Sequence, residues 1–198
     1  MKEKYRIRAL WLSAATVGYN VIEGIAAVTV GLITNSTALL AFGLDSFIES
    51  LSGSVMLWRF GKRREGDDET KAERRALKLV AYTFFILGAY VLFDAGMQLF
   101  EQETPDKSLF GIVVAILSLL IMPALMRAKY NTGKKLGSKS LVADSKQTFA
   151  CIIMSATLLI GVGLNYFFGI WWADPVAGIA IALLLIHEGK ETLEGEED

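Results

Sequence analysis

An all-α fold, a six-helix transmembrane bundle, is predicted by three observations. The chain of 198 residues is 53% hydrophobic with a mean hydropathy of +0.43. Its apolar runs recur at the length of a bilayer crossing, and its lysines and arginines gather between alternate runs. Such a composition is too apolar for an ordinary soluble domain. The runs lie at about residues 9–33, 37–60, 76–101, 108–128, 141–167 and 172–189, each near or above the roughly 20 residues a spanning helix needs.

The first run follows MKEKYRIR, a basic start like that of a signal peptide. Its length, the acid Glu23 inside it, the lack of a clear cleavage site and the five runs that follow make it a retained span. The second comes after ITNST, a loop so short that helices 1 and 2 must be antiparallel neighbours. The third follows a strongly basic segment, the fourth opens after FEQETPDKS and contains Pro123, and the fifth contains ADSKQTFACIIMS. The sixth opens at WWADP. Trp171 and Trp172 suit an interfacial aromatic belt, and Asp174 before Pro175 reads as a helix N-cap with proline at the first helical position. Residues 1–190 are thus expected to form the bundle and 191–198 a short, frayed acidic tail.

Charge fixes the expected direction. Four basic residues lie at the N-terminus (Lys2, Lys4, Arg6, Arg8) and eight between helices 2 and 3 (Arg59, Lys62, Arg63, Arg64, Lys71, Arg74, Arg75, Lys78). Six more run from the end of helix 4 into helix 5 (Arg127, Lys129, Lys134, Lys135, Lys139, Lys146), and Lys190 follows helix 6. Of the 20, only Lys107 lies elsewhere. By the positive-inside rule both termini are cytoplasmic, in a multi-pass protein expected in the inner membrane of a prokaryote. One cysteine, Cys151, and one histidine, His187, exclude a disulfide framework, a paired-cysteine zinc motif and a His-rich tract. Nucleic acid is not an expected partner.

Four acids fall well inside spans: Glu23, Asp45, Glu49 and Asp94. Asp45 and Glu49, in LDSFIES, are one helical turn apart on one face. With the outer ends of helices 1 and 2 near residues 34–36, Glu23, Asp45 and Glu49 lie roughly 14–20 Å deep at 1.5 Å per residue, near midplane, where each ionised acid costs about 2.5–3.5 kcal/mol on insertion scales. Two like charges one turn apart repel and need a cation or protons between them. Tyr19 and Asn20 extend the polar face of helix 1, while Ser46, Ser50 and Gly53 offer a small face for close helix approach. Asp94 is open between a functional acid and a lone structural one that bonds a neighbouring helix or lines a dimer contact. On helix 5, Asp144, Gln147, Thr148 and Cys151 share one face by i, i+3, i+4, i+7 spacing. A thiolate suits zinc-like ions and an amide carbonyl is a weaker, neutral donor, although a lone buried cysteine is more often a small hydrophobe. Asp144 and Lys146 are expected to pair near the cytoplasmic entrance, and His187 to sit at the interface.

The stretches GLITNSTALLAFGLDSFIES, KAERRALKLVA, LVADSKQTFA and WWADPVAGIAIAL, in this order, resemble the transmembrane domain of the cation diffusion facilitator family, six-helix exporters of divalent metals. The family's usual cytoplasmic domain after helix 6 is not expected from these 198 residues. The resemblance implies a transport site with two ligands from helix 2, matching Asp45 and Glu49, and two from helix 5, matching Gln147 and Cys151. The family usually carries His or Asp followed by Asp at those helix 5 positions, and Glu23 is placed to restore the missing charge. It further implies an inner bundle of helices 1, 2, 4 and 5 with helices 3 and 6 outside, and a homodimer held through membrane helices.

The expected function is a secondary transporter, not an enzyme, that exports a divalent metal across the lipid bilayer. Zinc is expected first, with manganese, iron, cobalt or cadmium as alternatives and protons as counter-ion. Pro123 and the glycines Gly24, Gly31, Gly161 and Gly163 are candidates for hinges, with kinking and packing the simpler reading. The rival reading is a non-transporting membrane partner that keeps the fold with a degraded site. An intramembrane enzyme is disfavoured because the acids lack a nucleophile-base set.

Overall fold

The computed structural model describes residues 2–61 and 71–194. They form six helices: α1 (Lys2–Thr34), α2 (Thr37–Gly61), α3 (Lys71–Glu101), α4 (Leu109–Leu136), α5 (Lys139–Phe168) and α6 (Ala173–Glu194). The predicted basic residues Lys62, Arg63 and Arg64 and the last four residues of the predicted tail, 195–198, lie outside the described residues, as do the side chains of Lys2, Lys71, Arg74 and Lys139.

Every predicted span is a helix, and several run past their apolar limits. α1 begins near the N-terminus rather than at residue 9, and its 33 residues make about 50 Å of helix, well over a hydrocarbon core of about 30 Å. The basic extension is anchored where Arg6 pairs with Glu3 and donates to the Phe60 carbonyl at 2.7 Å. α4 continues two turns past the predicted end to a left-handed glycine cap, Gly137 at φ 72°. α6 carries on to Glu194, so the first half of the expected frayed tail is helical. Among the described residues five helices are long and apolar enough to cross a membrane; α6 falls short, its last two turns being charged by Glu188, Lys190, Glu191 and Glu194.

Ser108 and Ser138 start α4 and α5 by accepting from the Gly111 and Leu141 amides, which satisfies one orphan donor at each helix start. The N-cap expected of Asp174 is spent on another helix. Asp174 already lies inside α6, and its carboxylate accepts from the Ser36 hydroxyl at 2.5 Å and the Ala38 amide at 3.3 Å at the start of α2. Ser36 in turn caps α2 from the Leu39 amide at 3.2 Å.

The helices α1, α2, α5 and α4 close a ring in which each touches the next, and α3 pairs with α6 alongside it. This is the division implied by the resemblance. α1 and α2 meet backbone to backbone: a Cβ on Gly31 would lie 2.7 Å from the Leu40 nitrogen, and one on Gly43 2.7 Å from the Val28 nitrogen. Gly31 therefore serves packing, and α4 passes through Pro123 as one continuous helix. The apolar core contains Phe42, Phe84, Met122, Met154 and Leu158, all buried. Trp11, Ile22, Leu32, Ile86, Phe93, Leu120 and Phe168 remain exposed, as expected of a surface that faces lipid.

Candidate cation site

The close approach of α1 and α2 brings Glu23 against Asp45, Ser46 and Glu49, all buried. Glu23 accepts from the Tyr19 hydroxyl, one turn away, at 2.8 Å, and from the Ser46 hydroxyl across the helix pair at 3.1 Å. Glu49, Glu188 and Glu23 lie within electrostatic reach of Asp45. Glu49 reaches across to α5, where the Thr148 hydroxyl donates to its Oε1 at 2.7 Å; its Oε2 has no hydrogen-bond partner among the described residues. Asn20, one turn from Glu23, is fully buried with neither end of its amide partnered.

The helix 5 face divides. Asp144, Thr148 and Cys151 turn inward and are buried, with Cys151 in electrostatic reach of Glu49, Glu23 and Asp45. Gln147 turns to the seam between α2 and α6: its carbonyl accepts from Ser52 at 2.6 Å and its amide donates to Thr192 at 3.4 Å. The two helix 5 residues matched to the family's ligands therefore lie in different settings, Cys151 beside the acids and Gln147 against two hydroxyls. Among the described residues no three His, Cys, Asp or Glu side chains converge closely enough to hold a metal ion.

The expected pairing of Asp144 with Lys146 is replaced. Residues two apart on a helix do not face each other, and Lys146 is exposed. Asp144 instead meets Lys129 of α4, whose Nζ lies 3.0 Å from Asp144 Oδ2, 3.8 Å from Glu49 Oε1 and 2.9 Å from Thr148 Oγ1. Lys129 is 0% exposed, so the basic residue assigned to the cytoplasmic margin is an internal charge. Glu188 of α6 is also buried, at 6% exposure, and its charge acts with that of Glu49. The apolar-run reading missed both. Each lies on a buried helical stripe, Lys129 with Ser118, Met122 and Thr132, and Glu188 with Ile181 and Leu185, spaced by three, four or seven.

The remaining candidates are peripheral. Asp94 is half-buried and accepts from Thr37 at 2.7 Å, tying α3 to α2. His187 is exposed, 3.7 Å from Glu191.

Glu23, Asp45, Glu49, Asp144 and Glu188 are thus all buried, only Asp144 and Glu49 lie within 4 Å of the buried Lys129 ammonium, and carboxylate and amide atoms lack hydrogen-bond partners among the described residues. Buried acids in such excess call for cations or protons.

Comparisons with known proteins agree with the geometry. The family described as the cation efflux transmembrane domain matches residues 13–193. The chain is 27% identical over 192 residues to transmembrane protein 163 of Xenopus laevis, covering 96% of this chain and 68% of that protein. It is 28% identical over 187 residues to a cadmium, cobalt and zinc/H(+)-K(+) antiporter of Bacillus subtilis, covering 87% and 56%. It is 26% identical over 164 residues to a manganese efflux system protein of the same organism, covering 79% and 56%. The chain thus spans only a little over half the length of those two bacterial relatives. With six helices and a family match along nearly its whole length, the chain belongs to the cation efflux family of membrane transporters.

Proposed function

We propose that the chain exports a divalent metal cation, zinc foremost, from the cytoplasm in exchange for protons, through a site built from Asp45, Glu49, Glu23 and Cys151. Gln147 joins this set as a neutral donor once it leaves Ser52. The observation that carries the reading is Glu49: a buried carboxylate from α2 that already faces α5, with one oxygen unpartnered and Cys151, Glu23 and Asp45 around it. Two or three carboxylates with one thiolate form a mixed oxygen and sulfur set that suits zinc or cadmium better than calcium or magnesium. Protons compete with the metal for the same oxygens, so a proton gradient can drive release on the acidic side. One bacterial relative bears a name that couples cadmium, cobalt and zinc to protons and potassium, which supports this exchange. Cytoplasmic termini, a prokaryotic inner membrane and a homodimer joined through membrane helices belong to the same reading.

Among the described residues the side chains do not converge on an ion as they stand, so uptake requires Glu23, Asp45, Glu49 and Cys151 to draw closer together. The test is zinc flux into proteoliposomes. Asp45→Asn is expected to reduce it to the level of protein-free vesicles; flux equal to the wild type removes Asp45 from the site. A second reading, a non-transporting member with a degraded site, is favoured by the engagement of Gln147 with Ser52 and Thr192. It predicts a melting temperature unmoved by zinc, manganese, iron or cobalt, whereas a working site raises it.

A further inference from the structure

Lys129 sits where α2, α4 and α5 meet, fully buried on a flexible four-carbon stem. Its Nζ is 3.0 Å from Asp144 and 3.8 Å from Glu49, and the Thr148 hydroxyl that accepts from it at 2.9 Å donates to the same Glu49 oxygen at 2.7 Å. The carboxylate best placed to receive cargo therefore already faces a positive charge, and this charge cannot diffuse away. We propose that Lys129 is a tethered competitor of the cargo: its ammonium neutralises Glu49 while the site holds no metal and withdraws to Asp144 when a divalent ion binds.

The geometry supplies both positions. A divalent ion on Glu49 would stand about 4–5 Å from the ammonium, where like charges repel strongly in a low-dielectric interior. Asp144 offers a retreat, because neither of its oxygens accepts a well-directed hydrogen bond in spite of the 3.0 Å contact. A short swing of the lysine stem turns a shared charge into a private pair. This arrangement prevents the empty site from leaving several buried acids uncompensated, and it sets a threshold that a monovalent cation, bringing no more charge than the ammonium it displaces, does not overcome.

The inference rests on the proposed metal site at Glu49, and its test separates the two. Zinc and cadmium binding to the purified full chain is measured by calorimetry at fixed pH for wild type, Lys129→Met and Asp144→Asn. Removing the competitor is expected to tighten binding about tenfold or more. Asp144→Asn, which removes the retreat and leaves the ammonium on Glu49, is expected to weaken it several-fold. A lysine that merely holds the helices together would weaken binding when replaced, so unchanged or weaker binding in Lys129→Met overturns the proposal, as does unchanged or tighter binding in Asp144→Asn if the first variant does not fold. A metal-free double-mutant cycle of thermal stability between Lys129→Met and Glu49→Gln provides a second readout. The losses are expected to be strongly non-additive, and additive losses overturn the proposal whatever the metal data show. A wild type that binds neither metal refutes the transport reading and the competitor with it; a wild type that binds both with no gain in Lys129→Met refutes the competitor alone.

Discussion

The end of the bundle where α2 and α6 begin and α3 finishes and the middle of the α1, α2, α4 and α5 ring are both rich in buried polar side chains, and they treat them in opposite ways. At that end the buried groups find partners. Asp174 accepts from Ser36 and Ala38, Thr37 donates to Asp94, and the Gln98 amide donates to the Asn35 carbonyl at 2.6 Å. Asn165 likewise donates to the Pro105 carbonyl at 2.9 Å. In the middle, Glu49 Oε2 and both ends of the Asn20 amide lack hydrogen-bond partners among the described residues, and Asp144 has an ion pair with Lys129 but no well-directed hydrogen bond. A satisfied buried network stabilises a unique packing, whereas an unsatisfied one costs free energy that evolution tolerates where something must bind. The first region is a clasp, and the second is what we propose as a receptor.

This difference can be broken or sharpened by mutation, because removing an acid should have opposite consequences in the two places. The largest effect is expected at the receptor: Asp45→Asn loses transport yet keeps or raises the melting temperature, since it relieves repulsion from Glu49 and Glu23. A marked fall in melting temperature would place Asp45 with the clasp. Next is Cys151→Ser, expected to weaken cadmium binding about 10- to 100-fold, a loss of the size metal sites show when a supporting group is removed. Manganese binding should change little, because a hard ion gains little from sulfur; equal losses for both metals would make Cys151 a packing residue.

At the clasp, Asp174→Ala is expected to destabilise the protein by about 1–3 kcal/mol through the stranded Ser36 hydroxyl and Ala38 amide. Thermal unfolding measures this, and metal affinity in the surviving protein should stay at the wild-type value. Asp94→Ala is the smallest, about 0.5–1.5 kcal/mol at most, because Gln98 Oε1 at 3.2 Å from the Thr37 hydroxyl can take over as acceptor. An Asp94→Ala variant with lower metal affinity would merge the two regions.

Sequence alone went far with the helical framework, and it singled out three of the buried acids. Helix number and order follow from apolar runs, since hydropathy over some 20 residues is a local property. The helix ends did not follow. Lys2–Arg8, Arg127–Leu136 and Lys190–Glu194 are helical but charged, and the window that detects lipid cannot see a helix continuing into water. Asp45, Glu49 and Glu23 stood out because acids in apolar runs are rare. Lys129 did not, because a lysine at the end of a span usually snorkels to the interface; its burial comes from Asp144 and Glu49, which no local pattern brings beside it. Asp174 shows the same limit: its position before Pro175 correctly marked a helix start, but the amide and hydroxyl it serves belong to a helix some 140 residues earlier. Helices could be read from neighbours in sequence, and pairings between distant helices could not.

The central claim is that Glu23, Asp45 and Glu49 surround one cation in the middle of the membrane. Equilibrium zinc binding to the purified chain, with metal counted per protein after gel filtration, tests it most directly. One ion per chain should be retained by the wild type and by Asp174→Asn, and lost from each of Glu23→Gln, Asp45→Asn and Glu49→Gln. Retention of the ion by all three of those variants would contradict the account.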